Sequence, residues 1–301
     1  MNNRNDFLPE TRNQALWASD SRKIIDGKAA EVYLERTGQV DPTDLSDVEA
    51  VQWGLRLQDS IGAAVSDRLG VNLKEADYMI AHPKHNWMRS HFDFITDDGK
   101  TLVEVKNYGS HQRKHYGDDG SQIIKPADKA QLIHEAACHG VENITLAVLF
   151  GGQELCLYPF AIFDDEKEEL IKTLSVVWGN IQTRTPPMPE SIEAAKKLFP
   201  SSEPHTVMAS QLIENSSVEL KQIKAQIKAL EDRESTLQAS IQGFMANNDT
   251  LQTIDGRVLA TWKSSKPTMS FDGALFRQAM PDLFASFVVE KLGSRRFLVK
   301  G

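Results

Sequence analysis

Residues 90–107 read SHFDFITDDGKTLVEVKN, and the fold follows from this stretch. His91-Phe92-Asp93-Phe94-Ile95 alternates polar and apolar residues, and so does Leu102 to Lys106. Asp97-Asp98-Gly99-Lys100 between them is turn chemistry, so the two runs predict a β-hairpin. Side chains alternate along a strand, which places Glu104 and Lys106 on one face. The hairpin can bring Asp93 back toward that pair. Two carboxylates and one ammonium on a half-buried sheet are costly unless compensated, and a divalent cation would compensate them.

Outward from the hairpin, the chain predicts a mixed α/β architecture. On the N-terminal side, residues 11–40 are expected to be helical in two pieces. Ser19-Asp20 would cap the first, and Gly38 would end the second. Val48 to Leu69 predicts a long amphipathic helix, with Val51, Leu55, Ile61, Val65 and Leu69 on its apolar stripe and Gly70 as the stop. Gly54 and Gly62 inside it permit a close neighbour. On the C-terminal side comes a long polar loop, 108–128, then a helix over 127–139. Two strands (144–150 and 154–160) and a helix over 164–178 follow.

The prolines at 186, 187 and 189 mark a boundary, giving an expected core of residues 1–185 and a C-terminal region of 186–301. In the latter, Leu220, Ile223, Ile227, Leu230, Leu237, Ile241 and Phe244 recur at steps of three and four, with Glu234 interrupting. They predict a coiled-coil-like helix over about 212–246. Asp255-Gly256 predicts a second hairpin within 251–263. Short helices over 271–280 and 283–291 and a terminal strand over 296–300 are expected after it.

Composition sets bounds on function. The chain has 301 residues and a net charge of −8, which argues against a broad nucleic-acid-coating surface but leaves room for a local basic groove. No apolar run reaches the roughly 20 residues of a membrane span. The polar N-terminus is unlike a secretory signal, and Cys138 and Cys156 make neither a disulfide framework nor a zinc spacing. A cytoplasmic protein is expected. His82, His85, His91, His111 and His115 lack zinc-helix spacing and read as turn and loop residues. Trp53, Trp87 and Trp178 read as core.

By itself, the D-x10-E-x-K spacing also fits a surface hairpin with a salt bridge. Its context resembles the PD-(D/E)xK nuclease superfamily, and more narrowly the YqaJ-type viral recombinase branch that includes the lambda-type alkaline exonuclease. The resemblance rests on Trp53-Gly54, Phe92-Asp93-Phe94, Val103-Glu104-Val105-Lys106, Gln131 leading to Gly140, Ala147 to Gly152, and the hairpin Asp255 to Lys263. It implies a restriction-endonuclease-like mixed sheet flanked by helices, with the helical arm and small hairpin appended.

The same resemblance implies hydrolysis of DNA phosphodiesters with Mg²⁺ or Mn²⁺. Asp93, Glu104 and the carbonyl of Val105 would hold the metal, and Lys106 would orient or deprotonate water or stabilise phosphate charge. Gln131 would face the site. The lambda-type enzymes digest one strand of a duplex from its 5′ end, work with a single-strand annealing protein and assemble as rings. Double-stranded DNA ends, an annealing partner, a homo-oligomer and a phage-infected or prophage-bearing host are therefore implied. One departure is Gln58, which stands where the family often has a metal-binding glutamate. A neutral amide is a poorer ligand for a hard cation. Arg12 and Ser19 have the spacing of the family's 5′-phosphate pair, and Arg113 is a further phosphate candidate. An endonuclease or nickase of the same fold, or a catalytically weakened DNA-binding or interaction protein, are the alternatives.

Overall fold

The computed structural model describes residues 12–76, 78–291, 293 and 295–300. Residues 1–11, part of the expected core and of the N-terminus read against a secretory signal, lie outside the described residues. The chain divides into a unit ending at Pro200 and a second from Ser201. The expected boundary at 185/186 therefore moves to 200/201. Between the two boundaries lies a helix the sequence reading missed, Ile192–Leu198, whose Leu198 is buried in the first unit's core.

The first unit begins with strand β1 (Leu16–Trp17) and helices α1 (Ala18–Ile25), α2 (Ala29–Arg36) and α3 (Glu49–Leu69). Strands β2 (Leu73–Glu75), β3 (Ile80–Ala81), β4 (Met88–Ser90), β5 (Phe94–Thr96) and β6 (Thr101–Tyr108) follow. Then come α4 (Pro126–His139), β7 (Asn143–Phe150), β8 (Glu154–Ala161), α5 (Asp164–Thr183) and α6 (Ile192–Leu198).

The main sheet has the order β2-β5-β6-β7-β8. The expected hairpin is its β5–β6 pair, antiparallel with Phe94 opposite Val103 and Ile95 opposite Leu102. Strands β6 and β7 run parallel over their full length, and α4 makes the crossover that parallel neighbours require. A three-stranded sheet, β1-β4-β3, stands apart.

Alternation along β6 and β7 distributes the core. Val103, Val105 and Ala147 point to one face, where they meet Phe94, Leu157 and the Ile61–Val65 stripe of α3. Leu102, Ile144, Leu146 and Val148 point to the other, against Leu132 and Ala136 of α4. A third cluster joins α1, α2 and the outer side of α4 to Leu170, Leu174, Val177 and Ile181 of α5.

Helix α3 stops at Gly70, whose φ of +65° is a left-handed cap. Only its second half packs, however. Val51, Trp53, Leu55 and Leu69 are exposed, so of the expected stripe only Ile61 and Val65 are buried, and the core reading fails for Trp53. Trp87 and Trp178 do pack, stacked with centroids 6.0 Å apart. At the N-terminus Ser19 is no cap. It lies exposed inside α1, and the buried Asp20 accepts the Trp17 N–H at 2.8 Å instead. Asp20 also binds the fully buried Arg36.

The second unit holds α7 (Gln211–Met245), the hairpin β9 (Thr250–Gln252) with β10 (Val258–Thr261), and short helices α8 (Gly273–Ala279) and α9 (Pro281–Ser286). The heptad stripe on α7 is largely exposed. No strand forms over the described residues 295–300, because no neighbouring strand offers them a hydrogen-bond ladder. Among the described residues, no helix is long and apolar enough to cross a membrane.

Candidate active site

Strand β5 starts at Phe94, so the N–H of Val105 on β6 extends past the β5 ladder. The Asp93 carboxylate takes its place, with Oδ2 accepting that N–H at 2.8 Å. This bond fixes Asp93 across from the Glu104–Lys106 pair. Glu104 is buried, and its Oε1 accepts from Lys106 Nζ at 2.5 Å and from Gln131 Nε2 at 2.6 Å. Asp93, Glu104, Val105, Lys106 and Gln131, all expected from sequence, are thus brought together.

The Gln131 amide nitrogen also donates to Glu135 Oε1 at 2.8 Å. Glu135 is fully buried one turn further along α4, and its Oε2 has no hydrogen-bond partner among the described residues. Asp128, Gln131 and Glu135 are three and four residues apart, so they form one helical stripe. That stripe faces Tyr108, Lys106 and Glu104, the residues of β6 that share a face. At its far end Asp128 forms an ion pair with Arg22, Nε to Oδ1 at 2.8 Å, and accepts from Tyr108 at 3.1 Å and from Tyr116.

The electrostatics follow from crowding acids in the interior. Asp93 is half-buried as a residue with its carboxylate enclosed, and burial followed by the charge of Glu104 pushes its pKa up to about 8. Lys106 and the Val105 N–H oppose that rise. Glu135 is pushed well above the carboxylate range by burial and then by Glu104. Burial disfavours the Lys106 ammonium, but Glu104 and Asp93 outweigh it and the net shift is upward. Burial and Asp128 push the Tyr108 phenol up to about 12.

The remaining candidates are placed elsewhere. Gln58 is half-buried on α3, one turn before Ile61, and makes no side-chain hydrogen bond among the described residues. Its helix covers the Val103–Val105 face of β6, opposite the face of Glu104 and Lys106. Arg12 is half-buried, and burial and then Arg36 lower its pKa. Ser19 is exposed on α1, and nothing joins the two. Arg113 binds Glu154 at 2.9 Å and the carbonyls of Tyr116 and Gly117, bracing the loop after β6. His82 accepts the N–H groups of Lys84 and His85, both at 3.1 Å, as expected of a turn residue.

The sequence reading missed Glu135, Asp128, Arg22 and Tyr108. Nothing in the helix sequence set the two acids apart, because Lys129, His134 and His139 make it polar at other positions too. Among the described residues, no group of three His, Cys, Asp or Glu side chains is assembled to hold a metal ion. A cation here would need Asp93 and Glu104 together with a backbone carbonyl or water.

Comparison with known proteins finds that residues 9–142 match the YqaJ-like viral recombinase domain. The chain is 25% identical to the uncharacterized protein YqaJ of Bacillus subtilis (strain 168), an alignment that covers 94% of this chain and 93% of that protein. It is similar to the solved structure of an alkaline exonuclease, LHK-Exo, from Laribacter hongkongensis. That match has a TM-score of 0.47 and 16% identity, and covers 58% of this chain and 92% of the other. A phage-related exonuclease from Haemophilus somnus 129PT matches with a TM-score of 0.43 and 8% identity, over 58% of this chain and 97% of the other.

Proposed function

We propose that the chain, whose residues 9–142 match the YqaJ-like viral recombinase domain, is a metal-dependent DNA nuclease, acting as a 5′-to-3′ exonuclease on double-stranded ends. The observation that carries this reading is Asp93, held by the Val105 N–H opposite the buried Glu104–Lys106 pair. The site fits a divalent cation. Two carboxylates beside one ammonium form a donor set that a hard divalent cation would compensate. Asp93, Glu104 and the Val105 carbonyl would hold Mg²⁺ or Mn²⁺, hard ions that accept one or two carboxylates and keep several waters. When bound, the metal would supply Lewis-acid polarisation of the scissile phosphate and an acidified water.

The chain's own residues do the rest. Lys106 lies beside Glu104 and Asp93, placed to orient water and to shield charge developing on the phosphate. Gln131 fixes the Glu104 carboxylate from the helix side. Contacts of this kind read the phosphate backbone and carry no base information, so ends of any sequence should serve. The product, a 3′ overhang, would pass to a single-strand annealing protein in phage-type recombination, with the nuclease as a homo-oligomer in the bacterial cytoplasm.

The test is digestion of linear and covalently closed circular duplex DNA with Mg²⁺ or Mn²⁺ added. The expected result is shortening of the linear substrate with circles spared. Nicked circles would replace the exonuclease with an endonuclease of the same site. No change in either substrate with either metal would overturn the nuclease reading in favour of a binding protein.

A further inference from the structure

Beyond Lys106, the next β6 side chain on the same face is Tyr108, about 7 Å along the strand. Two cations lie against its ring. The Arg22 guanidinium carbon lies 5.7 Å from the ring centroid, and Lys125 Nζ lies 5.9 Å from it. Lys125 is also 5.9 Å from the centroid of Tyr116. Contacts of this geometry hold cations in place at exposed and half-exposed sites. Two carboxylates act on Arg22: Asp26, which pairs with Lys28 at 3.6 Å, and Asp128. Asp128 is fully buried, and its oxygens are taken by Arg22, Tyr108 and Tyr116.

Arg22 compensates Asp128, and Lys125 is left with no carboxylate partner among the described residues. Its recorded acceptor is the neutral Gln112 amide. Arg22 pairs with the Asp128 carboxylate, Nε to Oδ1 at 2.8 Å, and donates Nη2 to the Tyr108 hydroxyl, while Nη1 donates to no protein group among the described residues. The Arg22 side chain is 35% exposed. The cluster therefore presents unused N–H donors and a net positive charge, in a chain whose overall charge is −8.

We propose that Arg22 and Lys125, both held against Tyr108, form a backbone-phosphate subsite for the nucleic acid strand next to the Asp93–Glu104–Lys106 centre. This rests on the nucleic-acid reading above and adds two residues to it. The partner chemistry is a phosphodiester. The guanidinium offers a planar donor edge and the ammonium a point charge, a pairing suited to phosphate oxygens. Such contacts confer affinity and register without base preference.

The test is equilibrium binding of the full chain to linear duplex DNA in EDTA, so that no cleavage intervenes, over a range of salt concentrations. Each phosphate contact contributes about −0.9 to the slope of log K against log salt on duplex DNA. Lys125→Gln is expected to make that slope shallower by about 0.9 and to weaken binding equally on unrelated sequences. Arg22→Gln should do the same, with a melting curve to establish that it still folds once Asp128 loses its partner. If it does not fold, Lys125→Gln alone decides. Lys172→Gln, on the exposed side of α5, should leave the slope unchanged. An unchanged slope in Lys125→Gln, or an equal change in Lys172→Gln, would overturn the subsite and leave the nuclease reading standing. Failure of the wild-type chain to bind DNA would overturn both.

Discussion

Replacing Gly62 by alanine tests the packing that positions Asp93. A Cβ on Gly62 would lie 2.5 Å from Cζ of Phe94, with Cε2 at 2.8 Å and Cε1 at 3.0 Å. Phe94 cannot simply swing away. It is 7% exposed and wedged among Ile61, Val65, Val103 and Val105. Inserting one methyl into a packed core costs about 1–3 kcal/mol. Alanine also regains about 0.8–1 kcal/mol of helix propensity over glycine. The net expectation is destabilisation of about 1 kcal/mol, or about 2–4 °C in Tm for a unit of this size. Gly54→Ala is the internal control. Nothing lies within 4 Å of its Cβ, so the propensity gain should appear there unopposed.

Thermal and urea melts of both variants measure the difference. Cleavage by Gly62→Ala should fall as well, because Phe94 is joined to Asp93 and its movement disturbs the bond to the Val105 N–H. Adding Phe94→Leu to Gly62→Ala should recover stability relative to either change taken alone, with a coupling of about 0.5–3 kcal/mol. A Gly62→Ala chain as stabilised as Gly54→Ala would refute the reasoning, since α3 would then not press on Phe94 at this point.

Two further outcomes are expected. Asp93→Ala, Glu104→Ala and Lys106→Ala should each lower cleavage by about 10²–10³-fold with the fold retained by circular dichroism, and full activity in any two would sink the site assignment. His134 is fully buried and accepts at Nδ1 from Ser21, and burial lowers its pKa to about 4 from the usual 6.5. The unfolded chain thus takes up this proton first. Stability is complete above pH 6.5 and is lost as pH falls toward 4, by an amount on the order of 3 kcal/mol. Urea midpoints at pH 7 and 4.5 should differ less in His134→Gln than in wild type, and an equal difference in the two would count against burial of the neutral ring.

The hairpin was legible because its signals are local. An Asp-Gly turn between alternating runs fixes register, and the near-continuous apolar run from Ile144 to Phe150 announces a strand covered on both faces. Helix α4 and its Gly140 stop were legible for similar reasons. What escaped depends on neighbours that are distant in sequence. The stripe on α3 shows period but not partner, so nothing in it revealed that Val51 and Leu55 would stay exposed. Ser19-Asp20 has the composition of a cap, yet the buried Arg36 draws Asp20 inward and the helix begins earlier. Residues 296–300 have strand-like composition without a strand to pair with.

Acids on helix α4 are the most instructive miss. On a helix read alone, Asp128 and Glu135 look like solvated residues, because burial of a carboxylate costs more than a sequence pattern can justify. The structure brings both against β6, where the charges sort themselves by partner. Arg22 compensates Asp128 and Lys106 compensates Glu104. Asp93 and Glu135 are left over, and burial raises the pKa of both. They differ in access. Glu135 is wholly enclosed and, among the described residues, bonds only to the Gln131 amide, so protonation is the way to relieve its charge. Asp93, by contrast, is only half-buried as a residue and stands at the end of its strand, although its carboxylate is enclosed. A cation entering from solvent would therefore be taken up at Asp93 and Glu104, while Glu135 keeps its proton and holds Gln131 in place behind them.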